Sequence, residues 1–221
     1  MGILNQIKNK MMKQIKTIIT ILVIHISLLM TAQENTETIV PLESYYDFII
    51  AHAYDEEPVD YIYYKDTNNR MDNFVGNWIF DDGFRYLKIE IIKQTHVVEY
   101  IYRIKNHNYM DNLLIYMQYK ENGVELYNTI DQPRNPISGN IILSNNKIEM
   151  NYREPSLTSC YRKKIADLEL EFIANGMSNT DDTLKWSRIR DSHGSSIPCP
   201  DGSEPDGSDF LIPANITFHR E

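Results

Sequence analysis

From Phe74 onward, apolar residues recur at every second position, the period of a half-buried β-strand. Residues 74–80 read as the first strand, closed by Asp81-Asp82-Gly83, a hairpin signal. Leu87, Ile89 and Ile91 share one face of a second strand. Val98, Tyr100, Tyr102 and Ile104 share one face of a third. Leu113, Ile115, Met117 and Tyr119 share one face of a fourth. Asn122-Gly123 suits a type I′ turn, because both residues tolerate positive φ. Val124, Leu126 and Ile130 carry the fifth strand. Past a loop at 132–136, residues 141–143 and 147–152 pair across Asn145-Asn146, with Ile148, Met150 and Tyr152 aligned. Residues 154–164 read as a connection. Ala166, Leu168, Leu170 and Phe172 then alternate with acids, and Leu184 and Trp186 mark a strand over 183–190. Residues 191–209 are a Gly/Ser/Pro/Asp loop, and residues 216–220 close the chain as a last strand.

About nine short strands with hairpin-length links and no strong helical pattern predict an all-β domain. An antiparallel meander this even closes as an up-and-down barrel or stacks as a sandwich, either of which limits exposed edges. Upstream, residues 33–73 read as an extended leader. Pro41 holds Val40 in extended geometry, and residues 55–58 form an acidic loop with a breaker.

The first 32 residues differ in kind. Lys8, Lys10, Lys13 and Lys16 precede a largely apolar run over 17–30 that ends at Thr31-Ala32-Gln33. This is the pattern of an N-terminal signal helix, with cleavage after Ala32 or, as the alternative, Gln33. The run is short of the ~20 apolar residues that a bilayer core requires, so no stable membrane anchor is expected after cleavage. The start is open between Met1 and Met11 or Met12. The organisation is then 1–32 signal peptide, 33–73 leader and 74–221 antiparallel β domain, exported to the periplasm or outside the cell. Loss of four lysines leaves 18 basic against 31 acidic residues, a net charge of −13. Such a chain repels phosphate backbones, so no nucleic-acid partner is expected.

Cys160 and Cys199 both lie in the exported part. If they pair, the pairing is unambiguous, and export permits it. Two free thiols are the open alternative.

Candidate chemistry is sparse. His52, His96, His107, His193 and His219 show no metal-ligand spacing, so no metal site is expected. The acidic run at 201–209 lacks the alternation and terminal Glu of a calcium loop. Ser195 and Ser196 are not in a Gly-x-Ser-x-Gly elbow. Glu90, Glu99 and Glu149 fall on outward strand faces, and nothing fixes a pair of them at glycosidase spacing. No cofactor and no enzyme activity are expected, and an uncharacterised hydrolase is the remotest reading. Tyr100, Tyr102, Tyr116, Tyr119 and Tyr127 form an aromatic stripe, with Tyr116 and Tyr127 placed opposite Tyr100 and Tyr119. Cross-strand packing explains it, as would an apolar cavity with polar tips.

Residues 65–69, Lys-Asp-Thr-Asn-Asn, and 71–78, Met-Asp-Asn-Phe-Val-Gly-Asn-Trp, resemble the signature of the domain of unknown function 6705, a family of exported proteins common in flavobacteria and their relatives. The Ile39-x-Pro41-Leu42 leader and the Glu121–Glu125 stretch resemble it too. That family implies no activity. Gly76-x-Trp78 also resembles the first strand of lipocalin-like barrels. There the Trp plugs the closed end, and a basic residue of the last strand, here Arg220, packs on it. The resemblance implies structural roles for Gly76, Trp78 and Arg220. The expected function is a non-enzymatic binding or structural module, or alternatively a lipocalin-like carrier of a small apolar ligand.

Overall fold

The two-residue alternation closes on itself. The computed structural model describes residues 12, 37–45, 47, 62–99, 108–131, 136–144, 146–154, 160–176, 181–205 and 207–221. The signal segment apart from Met12, and with it Tyr100, Tyr102, Ile104, His52, His107 and Asn145, lies outside them. Eleven strands are described: β1 Thr38–Pro41, β2 Ile62–Lys65, β3 Gly76–Asp81, β4 Arg85–Glu99, β5 Asn108–Glu121, β6 Val124–Asn128, β7 Ile137–Ser144, β8 Lys147–Glu154, β9 Arg162–Ile173, β10 Thr183–Ser196 and β11 Asn215–Arg220. Eight of them, β3-β4-β5-β7-β8-β9-β10-β11, form an antiparallel ring in which each pairs with its neighbour along the chain and β11 returns to β3. The fold is an all-β, eight-stranded, closed up-and-down barrel.

β5 is the organising strand. One edge pairs with β4 almost throughout. The other edge is divided. Residues 108–110 take β2 in parallel, 113–115 take β7 antiparallel, and 118–121 take β6. β1 then adds to β2 in parallel. The segment read as a leader thus supplies two strands and two 3-10 turns, Leu42–Ser44 and Arg70–Asn73, beside the barrel.

The structure differs from the sequence reading at several points. The second predicted strand runs on through Val98 as β4, because the chain absorbs an irregularity instead of turning; the rest of the third predicted strand lies outside the described residues. Thr95 and His96 together oppose Asp111, and His96 takes φ +56°. β10 runs six residues into the predicted 191–209 loop, because Asp191, Ser192, His193 and Ser196 find ladder partners on β9. Tyr127 lies directly across from Tyr119, so those two share a side and only Tyr116 takes the other.

The inward positions form one core. Trp78, Ile89, Met117, Leu168, Trp186 and Phe218 are among its fully buried members. Eight strands enclose a bore just wide enough for side chains to fill, and large residues fill it here. Trp186 packs edge-on against Tyr152, with centroids 5.3 Å apart, and lies 6.2 Å from Phe218. The outward faces carry cross-strand ion pairs, Lys147–Glu169 at 2.8 Å and Arg190–Glu149 at 3.0 Å among them.

Candidate functional site

The inward alternation turns from apolar to charged at both mouths of the barrel, and polar chemistry gathers there. At the first mouth the sequence builds a plug. Asp66, buried after β2, accepts hydrogen bonds from the backbone N–H groups of Arg70 (Oδ1) and Met71 (Oδ2), each at 2.9 Å, which fixes the turn at Arg70–Asn73. Lys93, the inward position after Ile91, reaches Asp66 at 2.9 Å and Asp72 at 2.7 Å. Burial works to lower the pKa of this ammonium. The hydrogen bonds to Asp72 and Asp66 outweigh it, and the net shift is upward. Asp111, the inward position before Leu113, accepts from the Tyr63 hydroxyl at 2.5 Å, from the Asp66 N–H at 2.9 Å and from the His96 N–H at 3.3 Å.

The turn delivers the chain to Phe74 and Trp78, both fully buried. The Trp78 indole N–H donates to the Phe74 carbonyl at 2.9 Å. The Arg220 guanidinium lies over the Trp78 ring at 4.3 Å and donates to the Val75 and Asn73 carbonyls at 3.0 and 2.9 Å. Gly76 is required twice over. Its φ is +135°, and a Cβ there would meet Arg220 Nη1 at 3.0 Å. The structure therefore brings Gly76, Trp78 and Arg220 together at one mouth.

The family of unknown function DUF6705 matches residues 12–221. The chain belongs to this family. No protein of curated function and no solved structure matches the chain. Residues 65–78 form the plug just described, and Asp66 is the carboxylate on which that plug turns.

The second mouth of this DUF6705 chain is covered by a strap, described over residues 197–205 and 207–214, between β10 and β11. One foot is tied by a disulfide between Cys160 and Cys199 and by the Ile197 N–H, which donates to the Tyr161 carbonyl at 2.7 Å. The other foot is held by side chains. Glu154, Lys164 and Arg188 are successive inward positions of β8, β9 and β10, and Glu154 lies directly across from Lys164. Glu154 Oε1 accepts from the Ile212 N–H at 2.9 Å and the Tyr152 hydroxyl at 3.1 Å. Its Oε2 accepts from the Leu211 N–H at 2.9 Å and Lys164 Nζ at 3.3 Å. Lys164 Nζ also donates to the Asp209 carbonyl at 2.6 Å and to Ser208 Oγ at 3.2 Å. Arg188 donates to the Ile212 carbonyl at 2.6 Å, and its guanidinium stacks 3.8 Å from the Phe210 ring.

Three tyrosines surround this carboxylate. Burial, then the charge of Glu154, pushes the Tyr152 hydroxyl far above its usual value. Burial, with Glu121 and Glu154 adding, does the same to Tyr119. Burial, with a smaller push from Glu154, raises Tyr127. The Trp186 indole N–H is buried beneath them with no hydrogen-bond acceptor among the described residues.

Asp66, Lys93, Asp111, Glu154, Lys164 and Arg188 were not singled out from sequence. The signal for the last three was present: extending the alternation of Tyr152, Ala166 and Trp186 by two residues reaches each of them. The remaining candidates stay apart. His96 stacks on Tyr109 at 4.0 Å, His193 lies 6.2 Å from Phe210, His219 is exposed on β11, and Glu149 pairs with Arg190. No three His, Cys, Asp or Glu side chains converge as metal ligands among the described residues. Hollows of about 230 and 490 Å³ are lined by Glu125–Asn128 with Asp131 and by Asn68–Arg70 with Asn73.

Proposed function

We propose that this protein is an exported, non-enzymatic binding or structural module, acting through the ends and outer faces of its barrel. The observation that carries this reading is the filled bore. Trp78, Trp186, Tyr119, Tyr152 and Phe218 are buried where a carrier would keep a cavity of several hundred Å³. The disulfide supports export, since such bonds persist in oxidising compartments. No helix of the described residues is long and apolar enough to cross a membrane. The net charge supports a partner that is neither nucleic acid nor an anionic lipid surface.

One observation favours a lipocalin-like architecture: the Trp78–Arg220 stack beside Gly76 at a closed barrel end. The filled bore weighs against the apolar-carrier role that accompanies it. Native mass spectrometry of the secreted, mature protein separates the two. The module reading expects the mass of the bare chain less two hydrogens for the disulfide. A stoichiometric apolar ligand retained through purification would overturn it in favour of the carrier.

A further inference from the structure

The strap at the second mouth is held as a bound peptide is held. Its stretch 209–212 has no strand partner. Side chains of three strands satisfy its backbone instead: a carboxylate takes two successive N–H groups, and an ammonium and a guanidinium take carbonyls on either side. Side-chain pockets read it as well. Ile212 is buried, and Phe210 packs against the Arg188 guanidinium at 3.8 Å and stacks on the Tyr152 ring at 6.1 Å. Backbone pairing combined with pockets for particular side chains is the logic of extended-peptide recognition. Residues 200–204, which link this stretch to the disulfide, are exposed, and their hydrogen bonds are local: Gly202 to Cys199, and Ser203 to Asp201. Beneath the stretch, the Trp186 N–H lacks an acceptor.

We propose that the Glu154–Lys164–Arg188 mouth is a recognition site for extended peptides of the form aromatic-aliphatic-aliphatic, filled in cis by Phe210-Leu211-Ile212 and opened when the strap lifts. The proposal deepens the module reading and rests on it. A tethered segment competes at an effective concentration on the order of millimolar. A free peptide of ~10 μM intrinsic affinity would therefore meet a penalty of roughly 100-fold while the strap is seated.

The test uses the full mature chain and a labelled peptide with the sequence of residues 207–213. In the variant carrying Leu211→Pro and Ile212→Ser, the strap loses one N–H donor and its buried anchor. Every receptor side chain remains. Its fold is checked by near-ultraviolet circular dichroism and the absence of free thiol. The expected result is peptide binding about 100-fold tighter than to the wild-type chain, lost by at least ~10-fold when Glu154→Gln is added. A folded variant that binds no better than wild type overturns the proposal. Should that variant not fold, hydrogen exchange of the wild-type chain decides. The Leu211 and Ile212 amides are expected to exchange by local opening, well before those of Leu184 and Trp186. Exchange of all four only through global unfolding would mean that the strap never lifts and would sink the idea. In either negative case, native mass spectrometry showing a bare chain would still leave the module reading standing.

Discussion

The two mouths of the barrel are closed by different means. The first is closed by sequence-local structure. Asp66 caps the turn four and five residues on, and Phe74 accepts the indole N–H of Trp78 four residues later. Only then do Lys93, Asp111 and Arg220 reach in from a distance. The second mouth is closed by an insertion between the last two strands. Its backbone hydrogen bonds to Arg188, Lys164 and Glu154 span 24 to 58 residues, and it depends on a covalent tie as well. A plug that runs directly into β3 is part of the barrel's own folding unit. A strap held at its feet can be disturbed while the barrel remains. The two closures should therefore differ in cooperativity as well as in strength.

The largest expected effect is at the first mouth. Trp78→Ala removes a fully buried indole and the surface on which Arg220 rests, and should cost about 3–5 kcal/mol. Urea unfolding read by circular dichroism should show one destabilised, still cooperative transition. A separate early transition would refute the unity of plug and barrel. At the second mouth, replacing Cys160 and Cys199 with Ser frees a 39-residue separation. By loop entropy this amounts to roughly 4 kcal/mol. Here the loss should appear first as increased hydrogen exchange at residues 197–212, with β8 and β9 amides still protected. Simultaneous loss of protection in both would erase the distinction between the mouths.

Glu154→Gln comes next. It keeps the shape but replaces one of the two acceptor oxygens with an NH2, so one of the Leu211 and Ile212 N–H groups loses its acceptor, at about 1–3 kcal/mol. Asp66→Asn at the first mouth should equal or exceed it, because its partners are two N–H groups and the Lys93 ammonium. A smaller effect for Asp66→Asn would reverse the ranking of the closures.

Alkaline pH probes the second mouth through its tyrosines. Folding holds the Tyr152 proton above the usual pKa near 10, so below that pH both folded and unfolded states keep it and stability is flat. Above it the unfolded chain ionises first, and stability falls by ~1.4 kcal/mol per pH unit for each such hydroxyl. Tyrosinate absorbance from Tyr152 should appear together with unfolding, not before it. The smallest effect belongs to the outer wall. Lys147→Ala breaks the pair with Glu169 and should leave the unfolding midpoint nearly unchanged, with any loss screened by salt.

The same contrast explains what sequence alone revealed. The barrel was legible because inward residues alternate over long strands, as in Leu113 to Tyr119 and Ala166 to Phe172. The first mouth was half legible. Gly76, Trp78 and Arg220 stood out as residue types, and the 65–78 block stood out as a signature. The capping by Asp66 did not, because a buried Asp and a turn Asp look alike in sequence. The second mouth was least legible. Glu154 and Lys164 fell in what read as a connection, since a charged residue ends an apolar alternation on paper. In the fold it is the last inward position of the strand. The joining of 154 to 211–212 has no local imprint at all.

The return of β11 to β3 has a further consequence. His219 and Arg220 pair with Ile79 and Trp78, so the ring is sealed by residues about 140 apart in the chain. Contacts of such separation form late, after the loop entropy between them has been overcome. During synthesis the strands preceding β11 must wait with an open edge until residues 215–220 emerge. Removal of residues 220 and 221 alone would leave Trp78 without its lid and cut the β11–β3 pairing back to His219 and Ile79. Until β11 is in place the polypeptide is thus an unsealed sheet, and it becomes a barrel only when residues 219 and 220 reach β3.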